Sequence, residues 1–412
     1  MTMLAAGSPA QDQAMASEHS AGQGAPGPRI LVVDDNEDNR YTLTLYLELE
    51  GYQNLVVAND GEEAIACLKG DNFDLVLLDV MMPKVDGYAV LSWMKGEKRL
   101  QDLPVIMISA LNEMNSVVRC IELGALDYLA KPFNPVLLKA RLGSSLEKKR
   151  LRDQINAHLA RLEEELDAAR QLQLGMVPQV FPPPTRERPI EIFATMEPAR
   201  EVGGDLYDFF DCPDGTFCFL IGDVSGKGLP AALFMARAKS LVRVTAELMH
   251  APDGGAADPA AIVGRVNREL CQNNDDMMFV TLFFAMLNPA TGVVRFCNAG
   301  HNAPYRLTGG KVAAVAGPSG IALGIAAKAV YPTGDLAMTP SEIVYLFTDG
   351  VTEATAASSE LFGEARLEAA LRSAVPDRSR DVVNAVATEV RGFVGSAPQA
   401  DDITAMAIKW SG

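Results

Sequence analysis

Five short apolar runs recur between residues 30 and 129, and amphipathic segments with helical spacing separate them. The runs are rich in Val, Ile and Leu and cover residues 30–33, 55–58, 75–78, 105–108 and 126–129. Alternation of strand and helix predicts a parallel sheet with helices on both faces, and uninterrupted apolar strands are typical of sheets covered on both faces. We therefore expect an α/β doubly wound domain with a five-stranded parallel sheet at residues 29–146.

Polar side chains follow these runs at the ends of the predicted strands. They are Asp34 and Asp35 after the first run, Asp79 after the third, Ser109 after the fourth and Lys131 after the fifth. Ligands of a parallel α/β sheet bind at the carboxyl ends of the strands, so these groups should converge. Converging carboxylates repel one another unless they hold a cation, and Mg²⁺ prefers oxygen ligands. The hydroxyl of Ser109 and the ammonium group of Lys131 should lie beside the carboxylates. Together these groups predict an aspartate that accepts a phosphoryl group.

Four segments of this region resemble the response-regulator receiver family: residues 30–37, 75–87, 106–110 and 127–133. The resemblance implies that Asp79 is the phosphoacceptor and that a sensor histidine kinase is the phosphodonor. It implies that Ser109 and Tyr128 respond to phosphorylation, together with Lys131. It also implies an Mg²⁺ site whose ligands would be Asp35, Asp79 and the carbonyl of Met81, assisted by Asp34.

A segment of helical composition, without proline or a sustained apolar run, extends from Lys139 to Gln173. Its apolar residues are spaced 4, 3, 4 and 3 positions apart, as in a heptad seam: Ile155, Leu159, Leu162, Leu166 and Ala169. The seam predicts a helical linker at residues 147–175 that forms a coiled coil and makes the protein a homodimer. A single amphipathic helix packed on a neighbouring domain explains the same spacing, and both interpretations stay open.

Strand-like runs outnumber helical ones from Ile190 to Trp410. The strand-like runs cover residues 190–196, 216–221, 279–287, 292–298, 342–347 and 403–409, and the helical ones cover 229–249, 259–271, 364–374 and 380–393. The segment Asn-Pro-Ala-Thr-Gly at 288–292 joins two strand runs and is typical of a hairpin loop. We expect an α+β domain at residues 176–412, in which an antiparallel sheet sandwich is flanked by helices.

Acidic motifs occur at four separate places in this second region: residues 202–205, 221–228, 347–350 and 401–404. Three of them contain glycine, which lets the backbone and a carboxylate approach a metal ion or phosphate closely. Aspartates from four places, in a chain with only four histidines, favour an oxygen-ligand site for Mg²⁺ or Mn²⁺ over a zinc site. Two such ions lower the pKa of a bridging water and hold a phosphate for in-line attack, which predicts hydrolysis without a covalent intermediate.

The region from Gln171 to Lys409 resembles the metal-dependent protein phosphatase family (protein phosphatase 2C-like), in its bacterial sporulation-phosphatase branch. Beside the acidic motifs, the resemblance is carried by residues 171–178, 201–208, 298–304 and 347–354. It implies a serine/threonine phosphatase with two Mn²⁺ or Mg²⁺ ions. The catalytic metal ligands that it implies are Asp223, which bridges both ions with help from the Val224 carbonyl, then Asp205, Asp349 and Asp401, with Asp402 as a neighbour.

Four further polar residues in or near these motifs each have two explanations. His301 is either a structural histidine hydrogen-bonded near a hairpin or a group near the substrate phosphate. Asp208 either holds the metal ligands in position without binding the metal itself or caps a secondary-structure element. Lys227 and Arg200 either pair with phosphate or are solvated loop charges.

Charge, apolar run length and cysteine spacing exclude other classes of protein. The net charge of −17 argues against a nucleic-acid partner. The longest apolar runs fall far short of the roughly 18–20 residues of a membrane-spanning helix, so we expect no membrane insertion. The six cysteines form no C-x-x-C pair, which favours reduced thiols and a cytoplasmic location. Residues 1–28, rich in Ala, Gly, Pro, Ser and Gln, predict a disordered leader.

The phosphatase resemblance implies a substrate that arrives in trans, namely a phosphorylated anti-anti-sigma (STAS) protein of a partner-switching pathway. We therefore expect a response regulator whose phosphatase output is controlled by phosphorylation of its receiver. Two alternatives stay open. The second region is either a catalyst or a non-catalytic module that sequesters its partner, and the receiver either controls it or serves only for dimerisation of a constitutive phosphatase.

Overall fold

The computed structural model describes residues 27–110, 119–249, 257–374 and 378–412. The chain divides into two compact units, the first ending at Arg161 and the second being Leu162–Gly412. The boundary between the units falls inside one long helix. The leader predicted for residues 1–28 lies outside the described residues, except for its last two positions.

A five-stranded parallel sheet in the order β2-β1-β3-β4-β5 forms the centre of the first unit. The strands are β1 (Ile30–Val33), β2 (Leu55–Ala58), β3 (Leu75–Asp79), β4 (Val105–Ala110) and β5 (Asp127–Lys131). Helices α1 (Glu37–Leu49), α2 (Gly61–Gly70) and α3 (Gly87–Gly96) alternate with them. This confirms the predicted doubly wound sheet. The strand order reverses at β1, because β2 lies on one side of β1 and β3 lies on the other. Ligands of such sheets bind at this reversal, at the carboxyl ends of the strands.

Side-chain caps and buried runs explain why these elements begin and end where they do. Asn36, Asp60 and Asp86 each accept a hydrogen bond from the backbone N–H three residues further on and so begin α1, α2 and α3. Strands β1 and β3 are buried along their whole length, and their side chains alternate between two apolar clusters, one on each face of the sheet. The ends of β1 and β3 are thereby fixed next to each other.

Helix α4 (Pro135–Met176) has 42 residues and is about 63 Å long at 1.5 Å per residue. It contains the whole segment that was predicted to be helical. Its first turns pack on the core of the first unit through the buried side chains of Leu138 and Leu142. Three members of the predicted seam, Ile155, Leu159 and Leu162, are 59%, 52% and 41% exposed in the single chain.

Two sheets pack face to face in the second unit, and helices cover their outer faces. The first sheet has the order β13-β10-β9-β8-β7, with β14 paired to β10, and the second has the order β12-β11-β15-β16-β6. The strands are β6 (Ile190–Glu197), β7 (Leu206–Asp211), β8 (Phe217–Val224), β9 (Val280–Leu287), β10 (Val293–Ala299), β11 (Tyr305–Thr308), β12 (Lys311–Ala314), β13 (Ser319–Gly320), β14 (Gly334–Ala337), β15 (Ile343–Phe347) and β16 (Ile403–Trp410). The helices are α5 (Leu229–Met249), α6 (Pro259–Leu270), α7 (Asp349–Thr352), α8 (Gly363–Ser373) and α9 (Ser379–Val394).

The layered arrangement confirms the predicted antiparallel sandwich flanked by helices. One apolar cluster lies between the two sheets, a second joins the first sheet to α5 and α6, and a third joins the second sheet to α8 and α9. The predicted hairpin at residues 288–292 joins β9 and β10, in which Leu287 pairs with Val294. Strands β7 and β11 to β14 and helix α7 were not predicted.

Candidate functional site

The first candidate site lies at the carboxyl ends of β1 and β3. Asp34, Asp35 and Asp79 bring three carboxylate oxygens within 4.8 Å of one another. Asp34 and Asp79 are 0% and 3% exposed, whereas Asp35 is exposed. Within the described ranges, no other group of three acidic, histidine or cysteine side chains comes so close together. The predicted convergence of acids at this sheet edge is therefore present.

Lys131, at the end of β5, connects the two buried carboxylates. Its Nζ lies 2.9 Å from Oδ2 of Asp34 and 2.9 Å from Oδ2 of Asp79. Asp34 also accepts hydrogen bonds from the backbone N–H of Asn36 and the side-chain amide of Asn39, each at 3.0 Å. The carboxylate of Asp34 is thus held in place by groups of the protein itself.

Burial raises the pKa of Asp79, and the negative charges of Asp34 and Asp35 raise it further, while the hydrogen bond from Lys131 opposes them. Burial lowers the pKa of Lys131, but its two carboxylate partners outweigh burial and raise that pKa overall. When all four groups are ionised, one ammonium group faces three carboxylates, and two negative charges are left over. An all-oxygen donor set with this charge fits a hard divalent cation such as Mg²⁺.

The remaining predicted receiver residues lie on or just after strands β3, β4 and β5, and Tyr128 lies three positions before Lys131 on β5. Asp79 pairs with the residue before Ser109 on the neighbouring strand β4. Tyr128, half-buried on β5, has the guanidinium carbon of Arg141 5.9 Å from its ring centroid. Met81, whose backbone carbonyl is the predicted ligand, follows β3 by two positions, and the residue is 75% exposed.

The second candidate site lies at one end of the sandwich, where both sheets contribute an acid. Asp205 precedes β7 and Asp223 lies near the end of β8, in the first sheet, while Asp349 follows β15 and Asp401 precedes β16, in the second. Asp205 is 2% exposed, and its Oδ2 accepts a hydrogen bond from Oγ1 of Thr348 at 2.8 Å. Because Thr348 is adjacent to Asp349, this hydrogen bond joins the two sheets at the site.

Burial and neighbouring carboxylates raise the pKa of three of these acids, Asp205, Asp223 and Asp349. Burial raises the pKa of Asp205 well above its usual value, and the charge of Asp223 adds to the effect. Burial, with the charges of Asp349 and Asp401, raises the pKa of Asp223 to about 7. Burial and then the charge of Glu353 raise the pKa of Asp349. No three of these acids bring oxygens within 4.8 Å of one another in the described part of the chain, so this cluster is wider than the one around Asp79.

Asp402 holds the loop that carries Asp205. Its Oδ1 accepts a hydrogen bond from the backbone N–H of Ala199 at 2.8 Å, and its Oδ2 accepts one from Gly204 at 2.7 Å. A Cβ atom on Gly203 would lie 2.1 Å from Oδ2 of Asp402, so the close approach of loop and carboxylate requires glycine there. The sequence motif does not reveal that both oxygens of Asp402 bond to backbone amides.

Gln173, in the last turns of α4, contacts the same loop. It is 3% exposed, its Nε2 donates to the carbonyl of Gly203 at 2.6 Å, and its Oε1 accepts from the N–H of Gly203 at 3.0 Å. Gln173 is not among the site residues predicted from the sequence. The motif at residues 171–178 contains a second glutamine, Gln171, which is exposed, and nothing in the motif distinguishes the two.

Lys227 lies in the loop between β8 and α5 and is not a freely solvated charge. Its Nζ is 3.0 Å from Oδ2 of Asp401 and donates to the carbonyl of Ala400 at 2.6 Å. The contact offsets part of the charge of Asp401 and ties the two loops together. Arg200, by contrast, is exposed.

His301 is buried behind the second site rather than in it. It is 6% exposed, and its Nδ1 lies 2.9 Å from Oγ1 of Thr281, which in turn donates to the backbone carbonyl of Asp223 at 3.4 Å. Burial lowers the pKa of His301 to about 4, so its imidazole is neutral at pH 7. These contacts support the structural explanation of His301.

Comparisons with known families agree with the two regions. Residues 30–143 match the family described as "Response regulator receiver domain", and residues 213–411 match the family described as "Stage II sporulation protein E (SpoIIE)". The first match contains every acid of the first site, and the second contains Asp223, Asp349 and Asp401 of the second.

Curated relatives match parts of the chain. Protein IcfG of Synechocystis sp. is 31% identical over 264 residues, which are 59% of this chain and 41% of that protein. The probable transcriptional regulator ycf27 of Cyanophora paradoxa is 44% identical over 120 residues, which are 29% of this chain and 48% of that protein. The chain thus spans less than half the length of these relatives.

A solved structure, the SiaA-PP2C domain of Pseudomonas aeruginosa, is similar to this chain with a TM-score of 0.53. The likeness covers 61% of this chain and 98% of that domain at 22% identity, and it therefore concerns the fold alone.

None of the described helices has both the length and the apolar character needed to cross a membrane. The chain joins a receiver domain of the response-regulator family to a domain of the SpoIIE family with the PP2C fold.

Proposed function

We propose that this protein is a response regulator whose output is the dephosphorylation of phosphoserine or phosphothreonine on a partner protein. The observation that carries the proposal is the cluster of buried, mutually repelling carboxylates at the second site, in which the pKa of Asp223 is about 7. Buried carboxylates that repel one another favour protonation or destabilise the fold when no cation is bound. Their retention at the junction of two sheets therefore supports a site that binds cations and works on an anionic group.

The donor set of the second site fits two Mn²⁺ or Mg²⁺ ions. The groups that would hold them are the carboxylates of Asp205, Asp223, Asp349 and Asp401, the Val224 carbonyl and, at the edge, Asp402. When bound, such ions supply a bridging water of lowered pKa and hold the phosphate. Oxygen ligands alone suit both metals, and the width of the cluster supports two ions rather than one.

The protein's own residues keep these carboxylates in position. The hydroxyl of Thr348 donates to Asp205, so that this carboxylate keeps one orientation. Asp402 fixes the loop before Asp205 through two backbone N–H groups. Lys227 offsets part of the charge of Asp401. We infer that these contacts reduce the reorganisation that cation binding requires.

In the first unit we propose that Asp79 accepts a phosphoryl group from a sensor histidine kinase. Lys131, 2.9 Å from the Asp79 carboxylate, offsets the charge that builds up during transfer. The Mg²⁺ ligands would be Asp35, Asp79 and the Met81 carbonyl, with Asp34 assisting. Ser109 and Tyr128 would then change position in response to the phosphoryl group.

Helix α4 is the proposed route from the receiver to the phosphatase. We assign residues 29–146 to the receiver domain, 147–175 to the linker and 176–412 to the phosphatase domain. Near its start the helix packs on the core of the first unit through Leu138. Near its other end Gln173 forms hydrogen bonds with the loop before Asp205. A rotation or shift of the helix would therefore move a metal ligand.

The two families and the linker support a proposal for the partners. We propose a phosphorylated STAS-type anti-anti-sigma protein as substrate, delivered in trans, and a homodimer formed through the exposed seam of α4 at Leu159 and Leu162. All six cysteines are free thiols, which supports a cytoplasmic location.

Hydrolysis of p-nitrophenyl phosphate in Mn²⁺ tests the catalytic claim. We expect turnover by the wild type and a loss of at least about a hundred-fold in Asp223→Asn. Binding of Mn²⁺ to both proteins, measured by calorimetry, shows whether the substitution removes the ion. A wild type that binds Mn²⁺ and is as inactive as the variant, with and without a phosphodonor, would support the alternative of a non-catalytic, partner-sequestering module.

A further inference from the structure

A groove with a volume of about 380 Å³ lies beside the second candidate site. One wall is the start of α5, and the other is the turn at residues 273–278 that leads into β9. The side chains that give the groove its chemical character are Leu229, Leu233, Arg237, Asp275, Asp276 and Met278.

Both walls of the groove join strands near the acid cluster, because α5 follows β8 and the turn leads into β9. The backbone N–H of Ser225 donates to the carbonyl of Phe279 at 2.8 Å, and the N–H of Phe279 donates to Oγ of Ser225 at 3.0 Å. Asp223, two residues before Ser225, pairs with Thr281 on the same two strands. The first groove residue, Leu229, follows Asp223 by six positions, so the groove begins close in sequence to the acid cluster.

Two exposed apolar side chains line this groove and are not part of the apolar core. Leu229 and Leu233 are one helical turn apart on α5 and are 52% and 64% exposed. The opposite face of the same helix supplies Met235 and Ala238 to the core. Neighbouring exposed leucines beside a concave surface are typical of an interaction site.

The groove carries an unbalanced negative charge. Asp275 and Asp276 are exposed, and neither has an ion-pair partner within 4.0 Å among the residues that the structure describes. The cationic side chain of the groove, Arg237, donates to the carbonyls of Glu269 and Gln272 at the end of α6. A partner with basic side chains would complement the two carboxylates.

The turn that bears the two carboxylates is held in place by Asn274. Its Nδ2 donates to the carbonyl of Met278 at 2.7 Å and to that of Gly324 at 3.2 Å, and its Oδ1 accepts from the N–H of Met278 at 2.9 Å. The surface is therefore ordered before a partner arrives, and binding would cost little additional ordering.

We propose that this groove binds the segment of the substrate protein next to its phosphorylated residue, and that it selects apolar and basic side chains. The inference rests on the proposed phosphatase function. A second copy of this chain fits less well, because a twofold interface at this groove would bring together two surfaces that each carry Asp275 and Asp276. Like charges facing each other at an interface disfavour association.

Two phosphoserine peptides of equal length test the charge selection. Both carry a leucine near the phosphoserine, and they differ only in having two lysines or two glutamates beside it. We expect the wild type to have a kcat/KM about five-fold higher for the lysine peptide, and the double variant Asp275→Asn, Asp276→Asn to lose this preference. The preference should also shrink as salt is raised. The matched control, Glu187→Gln with Glu247→Gln, removes two exposed carboxylates outside the groove and should keep the preference.

A second pair of variants tests the apolar wall. Leu233→Ala should lower the ratio of kcat/KM between a leucine peptide and its serine counterpart by about five-fold. Leu248→Ala, on the same helix and 75% exposed but outside the groove, should leave that ratio unchanged. Equal ratios in wild type and Leu233→Ala would overturn the apolar part of the proposal.

The outcomes separate this proposal from the function on which it rests. A wild type that hydrolyses neither peptide nor p-nitrophenyl phosphate contradicts the phosphatase function. Hydrolysis of both peptides without a charge preference contradicts the groove alone. A change of sedimentation coefficient in the groove variants, with the peptide preference intact, would assign the groove to a second copy and would also overturn the proposal.

Discussion

Asp208 is a fully buried charge in the middle of β7, and two cations on α5 explain why the strand tolerates it. Nζ of Lys239 lies 2.9 Å from its Oδ2, and Arg243 donates to both oxygens, at 2.9 and 2.6 Å. The guanidinium of Arg243 also lies 4.5 Å from the ring centroid of Phe210. The side chain is therefore neither a cap nor a direct support of the acid cluster. It fixes the helix that follows Asp223 to the strand that follows Asp205.

Removing this charge should destabilise the second unit. Asp208→Asn leaves two cations without their buried partner, so we expect a loss of about 3 kcal/mol in the free energy of unfolding. The two tryptophans lie one in each unit, and in a Trp93→Phe background the fluorescence of Trp410 reports the second unit alone during urea unfolding. Asp211→Asn, exposed on the same strand, is the control and should cost less than about 0.5 kcal/mol.

The raised pKa of Asp223 predicts how stability depends on pH when no metal is present. The pKa is about 7 in the folded protein against a usual value of 3.8, so the folded state binds a proton that the unfolded state releases. The contribution of this proton to the free energy of unfolding is fully present below about pH 4 and is lost as pH rises through about 7. In EDTA, the wild type should lose about 2 kcal/mol more than Asp223→Asn between about pH 5 and pH 8. Urea unfolding followed through Trp410 measures the difference, and parallel pH profiles would contradict it.

At the scale of elements, the end of α4 is the feature with the clearest consequence. Gln173 forms two hydrogen bonds with Gly203, and Asp402 approaches the same glycine from the other side. The position of the loop before Asp205 therefore depends on a helix that begins in the other unit.

Loss of this contact should weaken cation binding. Gln173→Ala removes two buried hydrogen bonds to the loop before Asp205. The substitution should therefore raise the Mn²⁺ concentration for half-maximal hydrolysis of p-nitrophenyl phosphate by about ten-fold. Calorimetric titration with Mn²⁺ should show the same shift without turnover. Gln171→Ala, two residues earlier and exposed, should behave as the wild type. The same shift in both variants would mean that the helix, and not its contact with the loop, sets the affinity.

Long regular elements could be predicted from the sequence, whereas short and polar ones could not. Helix α5 was predicted with the bounds that the structure shows, because its apolar face is regular over 21 residues. Strand β7 was missed because Asp208 interrupts its apolar pattern, and only the later helix α5 supplies the compensating cations. Strands β11 to β14 have two to four residues, too few for a periodicity to show.

The acids of both sites could be predicted, but not what holds them. Asp34 and Asp79 follow buried strands, so their convergence follows from the sheet alone. The hydrogen bond of Lys227 to Ala400 and the burial of Gln173 depend on loops that are distant in sequence, 173 and 30 residues away. No local pattern encodes such pairs.

At the scale of the whole molecule, the two sites should be coupled through α4. We expect a small-molecule phosphodonor to raise the phosphatase activity of the wild type several-fold, because phosphorylation of Asp79 would shift the population of receiver conformations. Asp79→Asn should not respond. Asp38→Asn, an exposed acid in the first turn of α1, serves as the matched control and should respond fully. Equal rates in all three proteins, with and without the phosphodonor, would exclude control by the receiver.

The length and continuity of α4 have a consequence for protein engineering. Each residue of a helix advances the side chains by about 100°, so deleting or inserting residues in the linker turns Gln173 about the helix axis by a known angle. A change of seven residues restores nearly the original phase, whereas a change of two turns the seam to almost the opposite side. A foreign sensor that ends in a helix should therefore control the proposed phosphatase activity when it is grafted in phase with Leu159 and Leu162, and the length of the graft should set the level of that activity.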